Sequence, residues 1–97
     1  MKSAYLIGNI TIKDENKWSL YRSKVSATLE PWNGELLLRG KKIQSLAGKT
    51  GHTDIVVIEF PNTDSLNSWF NSKSYQELIP IRNLAADMDL ISYQSDI

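Results

Sequence analysis

The segment from Asp54 to Phe60 constrains the fold of this chain more than any other stretch of the sequence. It reads Asp-Ile-Val-Val-Ile-Glu-Phe and ends at Pro61, and so short a run of β-branched residues is typical of a strand rather than a helix. Successive side chains of a strand point to opposite faces, and only Glu59 interrupts a strand that is apolar on both. We therefore expect a central strand that is covered on both faces.

The residues before this strand predict another strand and a helix. Ala4–Ile12 is predicted to be the first strand, in which Gly8 marks a close approach of the backbone to a neighbour. A helix follows from Asp14, whose carboxylate can accept hydrogen bonds from the free amides of the first turn, and it ends before Pro31. Its apolar positions recur at steps of three and four residues and are Trp18, Tyr21, Val25 and Leu29.

The segment between this helix and the central strand has two interpretations. A strand begins at Glu35, and Arg39–Lys42 is predicted to form a bulge or a turn. Ile43–Leu46 then either continues a long bent strand or forms a second short one. The glycine-containing stretch 48–51 reverses the chain into the central strand.

The residues after Pro61 predict short helices and a last strand. Thr63 or Asp64 is expected to cap a helix, and Pro80 is expected to divide the helical region that follows, because proline lacks an amide hydrogen. The predicted pieces are a helix with Leu66, Trp69 and Phe70 on one face, helical turns at Tyr75–Ile79 and Ile81–Ala86, and a strand at Asp87–Tyr93.

This order of elements predicts an α+β protein, a ferredoxin-like βαββαβ sandwich with an antiparallel sheet. Its helices would lie on one face of the sheet and leave the other face open. An open face of an antiparallel sheet is normally polar, yet the second and third strands do not alternate, and neither does Leu90-Ile91 in the last strand. We therefore expect a second copy of the chain to cover the open face in a two-fold symmetric homodimer.

The composition excludes several classes of site and partner. Ninety-seven residues predict a single domain spanning 1–97. The chain has no cysteine and one histidine, so we expect neither a disulfide nor a metal site, and no cofactor is predicted. Eleven basic and eleven acidic residues cancel, which argues against nucleic-acid and membrane partners.

Gly8, Asn9 and Thr11 interrupt the apolar start of the chain, so neither a signal peptide nor a membrane span is predicted, and the expected location is the cytoplasm.

Motifs spread over nearly the whole chain carry a family resemblance. They are Ala4-Tyr5-Leu6-Ile7, Trp18 with Tyr21-Arg22, Leu38-Arg39-Gly40, Val57 through Pro61, Ser72 through Tyr75, Pro80-Ile81-Arg82 and Ala86-Asp87. Together they resemble a bacterial family of domains of unknown function, number 1330. The resemblance implies a dimeric α/β barrel, in which two ferredoxin-like sheets pack face to face with their helices outside. It implies no established activity, because the wider superfamily includes cofactor-free oxygenases, lactone isomerases and haem-dependent enzymes.

Three residues are candidates for chemistry. The hydroxyl of Tyr21, on the core-facing stripe of the first helix, would meet either a ligand or a partner within the core. Arg39 ends an apolar strand, where its guanidinium is suited to hold a carboxylate at two points, and its alternatives are a salt bridge to Glu59 or plain exposure. Glu59, if desolvated, is suited to act as a general base, and its alternative is a solvated or paired charge at a strand end.

Three residues of the second helical region are candidates for a ligand cleft. Trp69, Tyr75 and Arg82 would supply aromatic walls and one cation, which suits an aromatic or acidic ligand. Their alternative is a place in the core, since aromatic residues at helical spacing usually pack there. His52, in the turn before the central strand, is expected to be an exposed loop histidine.

These observations predict a homodimer that binds a small organic ligand, aromatic or acidic, in a cleft between the sheet and the helices. The enzymatic version of this hypothesis is a cofactor-free monooxygenase or isomerase, and the alternative is a non-catalytic structural or interaction module without a ligand. The predicted catalytic residues are Glu59 and Arg39, and the predicted ligand-binding residues are Tyr21, Trp69, Tyr75 and Arg82.

Overall fold

The structure is a computed structural model that describes residues 2–96. Its elements follow one another as β1 (Ala4–Ile12), α1 (Glu15–Leu29), β2 (Glu35–Lys41), β3 (Asp54–Phe60), α2 (Thr63–Phe70), α3 (Lys73–Gln76), α4 (Ile79–Ala85) and β4 (Ala86–Gln94), with a turn of 3₁₀ helix at Glu30–Trp32. No helix within residues 2–96 has the length and apolar content needed to cross a membrane.

The four strands form one antiparallel sheet in the order β2-β3-β1-β4. This confirms the predicted ferredoxin-like arrangement, with the helices on one face. The segment expected to be a central strand is β3, and it has β1 and β2 as its neighbours. Gly8 marks a close approach, as predicted, because a Cβ atom there would lie 2.6 Å from Cγ1 of Val56.

The helix face of the sheet is the face that packs against α1, α2 and α3, and it holds the core. The apolar stripe of α1 is buried as expected, and Asp14 caps that helix by accepting a hydrogen bond of 3.0 Å from the amide of Lys17. Each fully buried aliphatic or aromatic side chain contributes about 1.5–3 kcal/mol relative to an exposed one. The largest of them are Trp69, Tyr75, Phe60 and Ile10.

The open face is the opposite face of the sheet, and it is more apolar than a water-facing sheet surface. Ile7 at its centre lies beside Val57 of β3 and Ile91 of β4. Towards the edges, Leu38 is 51% exposed and Tyr93 is 55% exposed. A row of large apolar side chains that crosses all four strands is typical of a protein interface.

The segment after β2 differs from both interpretations of the sequence. Neither a bent long strand nor a second strand forms at Ile43–Leu46, which lies in a loop closed by a 2.7 Å hydrogen bond from the amide of Lys42 to the carbonyl of Thr53. Ile43 is 97% exposed, so no strand pairing or packing holds this stretch. The predicted bulge or turn at Arg39–Lys42 is also wrong, because β2 continues through Lys41.

The bulge in β2 lies earlier than expected, between Leu36 and Leu38. Leu36 pairs with Ile58, while Leu38 pairs with Val57, so one extra residue of β2 is inserted against β3. The insertion reverses which side chains of β2 face the helices. It therefore places Arg39, which pairs with Val56, on the helix face.

The helical region after β3 is divided as predicted, but its ends differ. The cap of α2 is Asn62 rather than Thr63 or Asp64, and its side-chain oxygen accepts a 2.8 Å hydrogen bond from the amide of Ser65. Pro80 lies in the first turn of α4 instead of separating two turns, because an amide hydrogen is not needed there.

Candidate functional site

The cleft between α1 and the helix face contains two adjoining chambers. The inner chamber has a volume of about 40 Å³ and the outer chamber of about 360 Å³. The inner one has room for a few water-sized groups, whereas the outer one falls in the range of about 300–1,000 Å³ that is typical of small-molecule sites. Four residues line both chambers, and they are Ile10, Trp18, Arg22 and Arg39.

The inner chamber is largely apolar. Its floor is formed by the helix face of the sheet, including Leu6, Ile58 and Leu90, and its roof by α1, including Val25. Tyr21, Trp69 and Tyr75 complete the wall on the side of α2 and α3. The predicted cleft between sheet and helices is thus present, and four of the six predicted site residues line this chamber.

The two tyrosines form a closed hydrogen-bond network with Arg82. The hydroxyl oxygens of Tyr21 and Tyr75 lie 3.0 Å apart, and Nη1 of Arg82 donates a 3.0 Å hydrogen bond to the hydroxyl of Tyr75. Because that hydroxyl accepts from Arg82, its own proton can be donated to Tyr21. Burial raises the pKa of Tyr21 far above its ordinary value, so its hydroxyl stays protonated. Arg82 belongs to the site through Tyr75 and does not line the chamber wall.

Trp69 is held as a core residue that also borders the inner chamber. Its indole Nε1 donates a 3.0 Å hydrogen bond to Oγ1 of Thr28, and that hydroxyl in turn donates to the carbonyl of Val25 at 2.6 Å. Its ring lies 4.2 Å from the ring of Tyr75 between centroids. Within residues 2–96, no buried polar side-chain atom lacks a hydrogen-bond partner, so the inner wall is satisfied without a ligand.

Two arginines line both chambers, one from each side of the cleft. Arg22 comes from α1 and Arg39 from β2, and neither forms a hydrogen bond or an ion pair with any of the described residues, 2–96. The pKa of Arg39 is lowered, first by partial burial and then by the positive charge of Arg22. The site therefore holds two like charges near each other, with no carboxylate of the described chain between them.

Glu59 lies on the open face, so the sheet separates it from the cleft. Its carboxylate accepts a 2.7 Å hydrogen bond from the hydroxyl of Tyr5, which raises the pKa of Tyr5. Its neighbour across the strands is Glu35. The salt bridge considered for Arg39 and Glu59 is absent, because the two side chains point to opposite faces. The structure thus brings together Tyr21, Arg39, Trp69, Tyr75 and Arg82 but not Glu59.

Arg22 was not predicted as a cleft residue, and His52 lies in a loop as predicted but is less exposed than predicted. Arg22 lines both chambers, and its signal was its place four residues after Trp18, on the same side of α1. His52 was expected to be an exposed loop histidine, but its side chain is only 19% exposed. Its ring nitrogens contact Oγ1 of Thr11 at 2.9 Å and a carboxylate oxygen of Asp89 at 3.0 Å, so it ties the loop before β3 to the open face.

No three histidine, aspartate or glutamate side chains in the described range 2–96 converge as a metal site would require. The candidate site consists of apolar walls, the hydrogen-bond network of the two tyrosine hydroxyls with Arg82, and two arginines.

Removing the hydroxyl of Tyr75 should destabilise the protein. Tyr75→Phe leaves the hydroxyl of Tyr21 and Nη1 of Arg82 without their shared partner, and leaving buried polar groups unpaired costs about 1–3 kcal/mol. Urea denaturation followed by circular dichroism measures the change. Tyr93→Phe, which removes an exposed hydroxyl, is the control and should stay within about 0.5 kcal/mol of the native protein. Equal effects of the two changes would mean that the buried network does not stabilise the fold.

Comparison with known proteins supports the fold described above. A family model described as "Domain of unknown function (DUF1330)" matches residues 3–94. No curated protein matches the chain in sequence.

Several solved structures share the architecture at low sequence identity. A protein of unknown function from Rhodopseudomonas palustris is similar with a TM-score of 0.79 and 16% identity, over 97% of this chain and 82% of that one. SnoaB, a cofactor-independent oxygenase from Streptomyces nogalater, is similar with a TM-score of 0.72 and 4% identity, over 100% and 96% of the two chains. A dimeric ferredoxin-like protein of unknown function from Jannaschia sp. has a TM-score of 0.74 and 6% identity, over 96% and 99%. Such similarities establish a common fold and leave activity open.

Proposed function

We propose a function for this chain, which belongs to the DUF1330 family of domains of unknown function, whose model matches residues 3–94. The chain is a single-domain cytoplasmic homodimer that binds a small organic ligand in the cleft of each protomer. The observation that carries the proposal is the outer chamber of about 360 Å³, which adjoins an apolar inner chamber beneath α1. The aromatic wall and the two arginines suit a ligand that is aromatic or acidic.

Two observations support the homodimer. The open face carries apolar side chains across all four strands, and covering it with an identical sheet would remove them from water. Solved proteins with the same fold include ones described as dimeric ferredoxin-like proteins. The helices and the cleft would then lie on the outside of the dimer, where a ligand can enter each protomer.

The enzymatic version of the proposal is a cofactor-free monooxygenase or isomerase. Its support is the shared fold with an oxygenase described as cofactor-independent, together with Arg39, which faces the cleft and is suited to stabilise negative charge on a substrate. Glu59, the other predicted catalytic residue, would act as a base only for a ligand on the open face, because it lies behind the sheet as seen from the cleft.

The second candidate function is a non-catalytic dimeric module. It is favoured by the small inner chamber and by the closed network of Tyr21, Tyr75 and Arg82, which needs no ligand to satisfy it. The two functions differ in whether the cleft binds a small molecule, so one binding experiment separates them.

Blocking the cleft tests the proposal. Ser26 of α1 lines the inner chamber, so Ser26→Trp should fill part of the cleft and weaken binding. Ser23→Trp adds the same bulk to the same helix at a position that lines neither chamber. Native mass spectrometry is performed on protein purified without added ligand and then on protein mixed with benzoate, phenylacetate, 2-naphthoate and their amides.

We expect at least one of these compounds, or a retained small molecule, to bind to the native protein and to Ser23→Trp. Binding to Ser26→Trp should be weaker by about tenfold or more, which corresponds to about 1.4 kcal/mol. A native protein that binds none of them, or a Ser26→Trp variant that binds as well as the native protein, would favour the non-catalytic module.

A further inference from the structure

Arg22 and Arg39 combine two features: they line both chambers, and no carboxylate among residues 2–96 pairs with them. Lys13, Lys17 and Lys41 each lie within 3.2 Å of an aspartate oxygen. Arg22 and Arg39 have no such partner among residues 2–96, although both line a concave site. Two neighbouring guanidinium groups repel each other, so this arrangement gains most from an anion that lies between them.

The acidic residues near the chambers leave these two charges unneutralised. Asp54 lines the outer chamber, but its carboxylate already accepts hydrogen bonds from Nζ of Lys41 at 3.2 Å and from the hydroxyl of Thr53 at 2.7 Å. Glu15 also lines the outer chamber, but it pairs with neither arginine and lies in the first turn of α1, where the helix dipole favours a negative charge. Uncompensated positive charge is thus concentrated where the two chambers meet.

We infer that the ligand of the cleft is an organic carboxylate, whose carboxylate group is held between Arg22 and Arg39 and whose apolar portion lies against Trp18 and Ile10. This inference rests on the proposed function, because it specifies the ligand of the same cleft. Guanidinium groups match a carboxylate by paired hydrogen bonds, and two of them on opposite walls provide donors on both sides of it.

The walls explain why a carbon skeleton is needed in addition to the charge. Ile10 and Trp18 border both chambers, and beyond them the inner chamber is surrounded mainly by aliphatic side chains. A free inorganic anion would leave this surface in contact with water. A compact aromatic or branched acid would cover it and gain hydrophobic binding energy in addition to the ion pairs.

The test compares acids with amides of nearly the same shape. Benzoate, phenylacetate and 2-naphthoate are each paired with the corresponding amide, and isothermal titration calorimetry measures the affinity of the protein for each. We expect at least one acid to bind about tenfold or more tightly than its amide. Arg22→Gln and Arg39→Gln should each weaken the binding of that acid by about tenfold or more and leave the amide within about twofold. Lys24→Gln removes the same charge from α1 outside the cleft and should change neither affinity.

The possible results separate this inference from the proposed function. If amides bind as tightly as acids and the arginine variants bind both normally, the cleft is a binding site but the carboxylate assignment is wrong. If inorganic phosphate displaces the acid at equal concentration, the arginines form a general anion site and the assignment is also wrong. If Arg22→Gln instead weakens the dimer, as judged by sedimentation velocity, the arginines pair with the partner subunit and the assignment is again wrong. If no compound binds to the native protein, the proposed function fails together with the inference.

Discussion

Replacing Trp69 with alanine should remove about 3–5 kcal/mol from the free energy of unfolding, the usual cost of deleting a large buried aromatic side chain. Trp69 is only 1% exposed, and its ring packs against Phe60 and Tyr75 with centroid distances of 5.5 and 4.2 Å. The substitution also removes the donor to the hydroxyl of Thr28. Because a domain of this size has a total stability of about 5–15 kcal/mol, the variant should be close to unfolding at 37 °C.

Urea denaturation followed by circular dichroism measures this effect. Trp69→Phe keeps most of the ring and loses the indole N–H, so it should fold and be destabilised by about 1–3 kcal/mol. Leu84→Ala, on the exposed side of α4, is the control and should change stability by less than about 0.5 kcal/mol. A loss below about 1 kcal/mol for Trp69→Ala would show that the indole is not a core element, and it would favour a role in direct ligand contact.

The predictions that the structure confirms came from local sequence patterns that each indicate one type of secondary structure. The apolar run of β3, which only Glu59 interrupts, predicted a central strand, and β3 does pair with a strand on each side, β1 and β2. The three- and four-residue spacing from Trp18 to Leu29 predicted the buried side of α1. These patterns were sufficient to obtain the ferredoxin-like fold and to recognise the apolar open face.

The face of Arg39 depended on a feature that the sequence does not locate. With regular alternation from Leu36, Arg39 would point to the open face, on the side of Glu59. The extra residue between Leu36 and Leu38 reverses this and places Arg39 beside Arg22 instead. A β-bulge is stabilised by contacts with the partner strand, so its position within Leu36-Leu37-Leu38 cannot be derived from three identical side chains.

Residues at the margin of a helical stripe are also difficult to assign. The periodicity of α1 predicts the direction of its buried side, but not which neighbouring element lies on each flank. Tyr21 leans towards Tyr75, whereas Arg22, one residue later, faces β2 and both chambers. The partial burial of His52 was missed for a related reason, because its partners Thr11 and Asp89 come from distant regions of the chain.

Replacing Ile7 with glutamate should convert the proposed dimer into a monomer. Ile7 lies at the centre of the open face, between Val57 and Ile91, so a carboxylate there would be buried without a partner when two sheets pack together. An unpaired buried charge costs about 3–5 kcal/mol, and two-fold symmetry places two of them in one interface. We therefore expect the dimer to be weakened by at least about a hundredfold.

The fold itself should tolerate this change, because Ile7 points away from the core beneath α1. Sedimentation velocity at several protein concentrations measures the assembly, and circular dichroism verifies that the variant stays folded. Leu20→Glu is the matched control, since Leu20 is 45% exposed on α1, outside the open face, and this variant should sediment like the native protein. A native protein that remains monomeric at micromolar concentration would refute the homodimer. An Ile7→Glu variant that stays dimeric would place the interface elsewhere, and the apolar side chains of the open face would then require a different partner.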